Sequence, residues 1–97
     1  MKKKGTKASK AKRKLIFDKK GLDAFAAHLK KMRQKKGFTQ SQLAYESGLS
    51  LSQIGRIETS RINPTLSTVF AIARALELED SLHELFRFEL PPDKTIR

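Results

Sequence analysis

Two short segments, Thr39-Gln40-Ser41-Gln42 and Ser50-Leu51-Ser52-Gln53, stand either side of Gly48 and leave little choice about how the middle of this chain folds. Each places a hydroxyl three residues before a glutamine. The hydroxyl can accept from a backbone N–H in the first helical turn while the amide reaches back to the N–H of the cap residue, so each segment reads as a helix start. Gly48 is the residue best able to take the left-handed conformation that ends a helix. Only Leu49 lies between it and the second cap. The pattern therefore predicts two short helices meeting at a tight turn over residues 39–58.

The flanking chain supplies what such a pair packs against. From Leu22 the residues Leu22, Phe25, Ala26, Leu29 and Met32 recur at steps of three and four, with Lys30, Lys31, Lys35 and Lys36 between and beyond them. This is the period of an amphipathic helix, and it ends at Gly37. Leu43 and Ala44 face inward from the second helix, Ile54 and Ile57 from the third. After the loop Arg61-Ile62-Asn63-Pro64, a fourth helix opens at Pro64 or Thr65 and carries Leu66, Val69, Phe70, Ile72, Ala73 and Leu76, apolar over more than half its circumference. Ser81-Leu82-His83-Glu84 has the form of a third capping box, starting a final short helix before Pro91-Pro92. The expectation is an all-α fold of five helices in one domain over residues 15–90, followed by a tail over 91–97.

Charge divides the chain. The formal net charge is +11, and eight basic residues precede the first acidic one. Such a run cannot bury apolar surface, so residues 1–14 are expected to form a disordered basic arm, serving either contact with a polyanion or solubility. Residues 15–62 carry nine basic and four acidic side chains, residues 63–97 four and six. Clustered Lys and Arg favour a phosphate backbone through counterion release, and the middle of the chain is where that charge meets the paired helices.

The same inventory excludes other chemistries. Without cysteine there is no disulfide or thiol site, and His28 and His83 alone do not compose a metal or nucleophile-base centre. The sequence offers no phosphate-cradling glycine loop either. No enzyme activity, metal or cofactor is expected. The apolar run Leu15-Ile16-Phe17 is far too short for a signal peptide or bilayer span. A cytoplasmic, nucleoid-associated protein is the expectation.

Gly37-Phe38-Thr39-Gln40, Leu43-Ala44, Gly48-Leu49-Ser50, Ile54, Ile57-Glu58, Asn63-Pro64-Thr65-Leu66 and Ala71-Ile72-Ala73-Arg74-Ala75-Leu76 together resemble the phage-repressor and Cro family of helix-turn-helix proteins, also called XRE-like. The resemblance spans about residues 22 to 86. It implies a repressor-like domain in which residues 51–58 form the recognition helix, its first residues reaching base edges of double-stranded DNA while the preceding helix crosses the phosphate backbone.

Matching positions imply Leu51, Ser52, Gln53 and Arg56 as base readers. Arg56 has a planar fork able to donate to guanine N7 and O6, and Leu51 either touches a thymine methyl or covers the first turn of its own helix. The phosphate-contacting set implied is Gln40, Ser50, Thr59, Arg61 and Asn63. Arg33 and Glu58 match an ion pair joining the first helix to the end of the recognition helix. The apolar excess at Leu82, Leu85, Phe86, Phe88 and Leu90 suggests a homodimer interface, and hence a regulator of a paired operator. In size the chain also resembles restriction-modification controller proteins. An antitoxin whose apolar end meets a protein partner, and a non-specific nucleic-acid binder led by the basic arm, are the competing readings.

Overall fold

The computed structural model describes residues 16–92, so the basic arm over 1–14 and the tail beyond Pro92 lie outside the described residues. The first helix starts one turn earlier than the apolar period indicates. Asp18 caps it by accepting from the Gly21 N–H at 2.9 Å, and Lys19 pairs with Asp23 across one turn. Helix α1 spans Lys19–Lys35, α2 Gln40–Ser47, α3 Leu51–Glu58 and α4 Leu66–Ala75; a 3-10 helix follows at Leu82–Phe86. Among the described residues there is no strand, and no helix is long and apolar enough to cross a membrane.

Both capping boxes around Gly48 are formed. Thr39 Oγ1 accepts from the Gln42 N–H at 3.0 Å and the Thr39 N–H donates to Gln42 Oε1 at 2.7 Å. Ser50 and Gln53 repeat the exchange at 3.0 and 3.1 Å. Gly48, at φ +78°, ends α2 and turns the chain into α3.

Three helices end in one backbone closure, in which an N–H reaches back five residues over a left-handed residue. Phe38 N–H donates to Arg33 O over Gly37, Arg61 N–H to Arg56 O over Ser60, and Leu78 N–H to Ala73 O over Glu77. Only the first of these uses glycine. Ser60 and Glu77, each at φ 60°, hold a conformation in which their Cβ crowds the backbone.

The core gathers Phe25 and Leu29 of α1, Leu43 and Ala44 of α2, Ile54 and Ile57 of α3, and Val69, Ile72 and Ala73 of α4, closed by Leu76, Leu78 and Leu85. Burying each of these larger side chains contributes about 1.5 to 3 kcal/mol.

Two expectations about the final segments need correction. Ser81 makes no side-chain cap, so the third capping box does not form, and the last element is a 3-10 turn of five residues where a fifth α-helix was expected. Leu78 and Leu85 are both anchored in the core, which holds the intervening chain in a tighter path than an α-helix allows. Secondly, α4 is less central than its composition suggests: Leu66 is 68% and Phe70 40% exposed.

Candidate nucleic-acid interface

Helix α3 is mounted with one face in the core and the other in solvent. Ile54 and Ile57 are buried, while Leu51, Ser52 and Arg56 are exposed. Its far end is held by a buried ion pair. Arg33 Nε donates to Glu58 Oε2 at 2.6 Å and Nη2 to Oε1 at 3.0 Å, with the two side chains only 7% and 2% exposed. The third arm of the guanidinium, Nη1, donates to the Phe38 carbonyl at 2.8 Å.

Gln40, the first residue of α2, joins the same network by donating from Nε2 to Glu58 Oε1 at 2.9 Å. One carboxylate thus ties the end of α1, the α1–α2 turn, the start of α2 and the end of α3. At the start of α1 the Lys19 ammonium, 2.8 Å from Asp23, and secondarily the Ser60 hydroxyl hold the Asp23 carboxyl below the usual carboxylate range. No spacing rule connects residues 18 or 37 positions apart, which is why the sequence does not reveal the Gln40 and Ser60 contacts.

The structure sorts the implied contact residues by what their polar atoms have left to give. Gln53 offers less than its position suggests, because its side-chain oxygen accepts the Ser50 N–H and only its NH2 group remains. Ser50 Oγ accepts from the Gln53 N–H and retains a proton to donate outward. Thr59 is the clearest change: its hydroxyl donates to the Gly55 carbonyl at 2.8 Å, consuming the proton that a phosphate oxygen would need. Arg56, Arg61 and Asn63 are exposed, with no side-chain hydrogen bond to another described residue. Gly55 is half-buried in the middle of α3, and a Cβ placed there meets nothing within 4 Å.

The implied pairing residues separate as well. Leu85 is fully buried in its own core and has no surface to offer a partner. Phe88 is half-buried, with its ring edge-on to Phe25 and beside His28. Leu82 and Phe86 remain 37% and 48% exposed. Leu66, Phe86 and Leu90 line one apolar groove of about 420 Å³, and Phe70 and Leu82 a smaller one of about 120 Å³. The apolar surface therefore includes α4, which sequence periodicity had placed inward. Among the described residues no group of three His, Asp or Glu side chains could hold a metal ion.

A short helix pair closed by a glycine turn, its second helix presented outward from a buried ionic mount, defines a helix-turn-helix protein. The helix-turn-helix family model (HTH_3) matches residues 29–81, more than half of the chain, and the chain belongs to this XRE-like helix-turn-helix family. It is 43% identical over 53 residues to the immunity repressor of Bacillus phage phi105, a match covering 55% of this chain and 37% of the repressor. Antitoxin HipB of Escherichia coli K12 is 41% identical over 54 residues, covering 56% of this chain and 61% of HipB. The chain thus spans about a third to three-fifths of the length of these two curated relatives.

Two solved controller structures match over a greater share of their length. The restriction-modification controller C.AhdI of Aeromonas hydrophila superposes with a TM-score of 0.63 at 37% identity, covering 67% of this chain and 96% of the controller. The controller C.Esp1396I, solved bound to a 25 base pair operator site, gives a TM-score of 0.61 at 34% identity, covering 68% of this chain and 90% of that one.

Proposed function

We propose that this protein is a sequence-specific transcriptional regulator that binds a paired operator as a homodimer, with Leu51–Glu58 lying in the major groove. The observation that carries this reading is the mounting of α3: a helix too short to be stable alone is fixed at both ends while its outward face is left free. Pre-organisation of this kind is what base reading requires, since a reader that moves cannot discriminate.

Arg56 is the principal reader, donating two bonds to guanine. Leu51, 51% exposed at the first position of α3, meets a thymine methyl, and Ser52 and the free NH2 of Gln53 supply secondary contacts. Phosphates are held by the Ser50 hydroxyl, Arg61, Asn63 and the free N–H groups at the start of α2 beside Gln40. The likeness to C.Esp1396I, which was solved bound to an operator site, supports DNA binding by this fold.

Pairing uses the exposed apolar residues of α4 and the 3-10 helix: Leu66, Phe70, Leu82 and Phe86. The similarity to HipB favours a second reading, an antitoxin whose partner occupies this surface. Light scattering of the chain alone, and on DNA, separates the two, because an obligate monomer in both states excludes the homodimer.

Selection from random oligonucleotides tests the main reading. A defined motif with two half-sites is expected, and Arg56→Ala should relax discrimination at one base position by about 1 to 3 kcal/mol. Equal discrimination by the parent chain and the variant refutes the assignment.

A further inference from the structure

A second concave surface lies away from α2, α3 and the 59–63 loop. It is a cleft of about 510 Å³ between α1 and the chain that ends the domain, lined by His28, Lys31, Met32, Lys35, Lys36, Leu78, Glu84 and Arg87. Four cationic side chains and one carboxylate, Glu84, line it, a formal charge of +3 with His28 neutral.

The cations are only partly neutralised. Arg87 approaches Glu84 at 3.3 Å, and Lys36 reaches Glu77 at 3.7 Å, with that carboxylate 83% exposed. Lys31 and Lys35 form no ion pair with a described carboxylate. They stand four residues apart on one helix face, where like charges repel and weaken the helix. An anion in the cleft would relieve that repulsion.

The floor differs in chemistry from the rim. Met32 packs against the core beside buried Leu78, and His28 Nε2 donates to the Glu84 carbonyl at 2.7 Å, fixing the imidazole in the wall. A polarisable thioether and a fixed aromatic ring suit a flat, weakly polar group. The volume falls within the range of small-molecule sites, roughly 300 to 1,000 Å³.

From these features we infer that the α1 cleft binds a phosphorylated small molecule of the nucleotide class, its phosphates on Lys31, Lys35, Lys36 and Arg87 and its base over Met32. None of the lining residues belongs to α2, α3 or the 59–63 loop, so the cleft does not overlap the surface proposed to face DNA. This inference is independent of how α3 reads DNA.

Calorimetric titration of the full chain at physiological salt with ATP, tripolyphosphate and adenosine tests it. Expected are one ATP per chain, binding by tripolyphosphate at least threefold weaker, and none by adenosine. The double variant Lys31→Glu with Lys35→Glu should weaken ATP binding at least tenfold. Lys20→Glu with Lys30→Glu changes the net charge equally on the same helix but outside the cleft, and should change binding less than threefold. The inference is overturned if the full chain does not bind ATP, if both double variants lose binding equally, or if tripolyphosphate binds as tightly as ATP. Unchanged helical circular dichroism in both variants shows that folding is intact; a variant that unfolds is replaced by the corresponding pair of glutamines, read against the same thresholds.

Discussion

Glu58→Ala removes the one carboxylate that three other elements depend on. In the folded chain Glu58 accepts from Arg33 twice and from Gln40 once, and both ionic partners are nearly closed to water. Truncation leaves the guanidinium buried with a single remaining acceptor, the Phe38 carbonyl. Removing one partner of a buried pair costs about 3 to 5 kcal/mol, chiefly the penalty of the stranded charge. A domain of this size is stable by roughly 4 to 12 kcal/mol, so the variant would lose a large share of its stability. In thermal unfolding about 3 kcal/mol corresponds to a fall of roughly 12 to 24 °C. Urea denaturation followed by circular dichroism gives the value directly, and an unchanged slope would show that the denatured state is unaffected. The double variant Arg33→Met with Glu58→Leu removes both charges and should recover at least half of the loss. A cost below about 1 kcal/mol for Glu58→Ala, the range of a surface pair, would refute the reasoning. So would additive single effects, because a stranded charge cannot be additive.

Three further outcomes follow from backbone and charge. Gly55→Ala should stabilise the free domain by about 0.5 to 1 kcal/mol, because the new methyl meets open space within a helix. A simultaneous loss of operator affinity in a binding titration would show that the bare backbone of α3 lies against the groove. Glu77→Gly should stabilise by about 1 kcal/mol in urea denaturation, since the left-handed residue sheds its Cβ clash and gives up only an exposed ion pair. Asp23 has a folded pKa below its unfolded value of about 3.9, so its contribution is complete above that value and lost as pH falls through the folded pKa. Asp23→Asn should therefore flatten the acid limb of stability measured below about pH 4, and an unaltered limb would remove the Lys19 and Ser60 contacts from the account.

What could be read in the sequence was local. The hydroxyl-to-glutamine spacings and Gly48 specify their own neighbourhoods, so both caps and the turn follow directly from residues 39–53. The Arg33–Glu58 pair is 25 residues apart and was reached by resemblance to a family. The last segment escaped because Ser81-x-x-Glu84 matches a cap in composition while the burial of Leu78 and Leu85 dictates a tighter turn. Leu85 escapes for the same reason: five apolar residues near the end are a surplus by count until one of them closes the core. At the candidate site, residue type indicated which side chains could bond. It could not reveal that the Thr59 proton goes to Gly55 or that the Gln53 oxygen goes to Ser50.

That last exchange limits how such a surface can diversify. Positions 50 and 53 hold the helix start together, so changing either to suit a new operator also removes a cap, at about 0.5 to 2 kcal/mol. Leu51, Ser52 and Arg56 are free of that obligation. On the proposed base-reading assignment, a library aimed at new target sequences therefore has three positions to spend, and one built across all five would weaken the helix start in many clones along with changing what they bind.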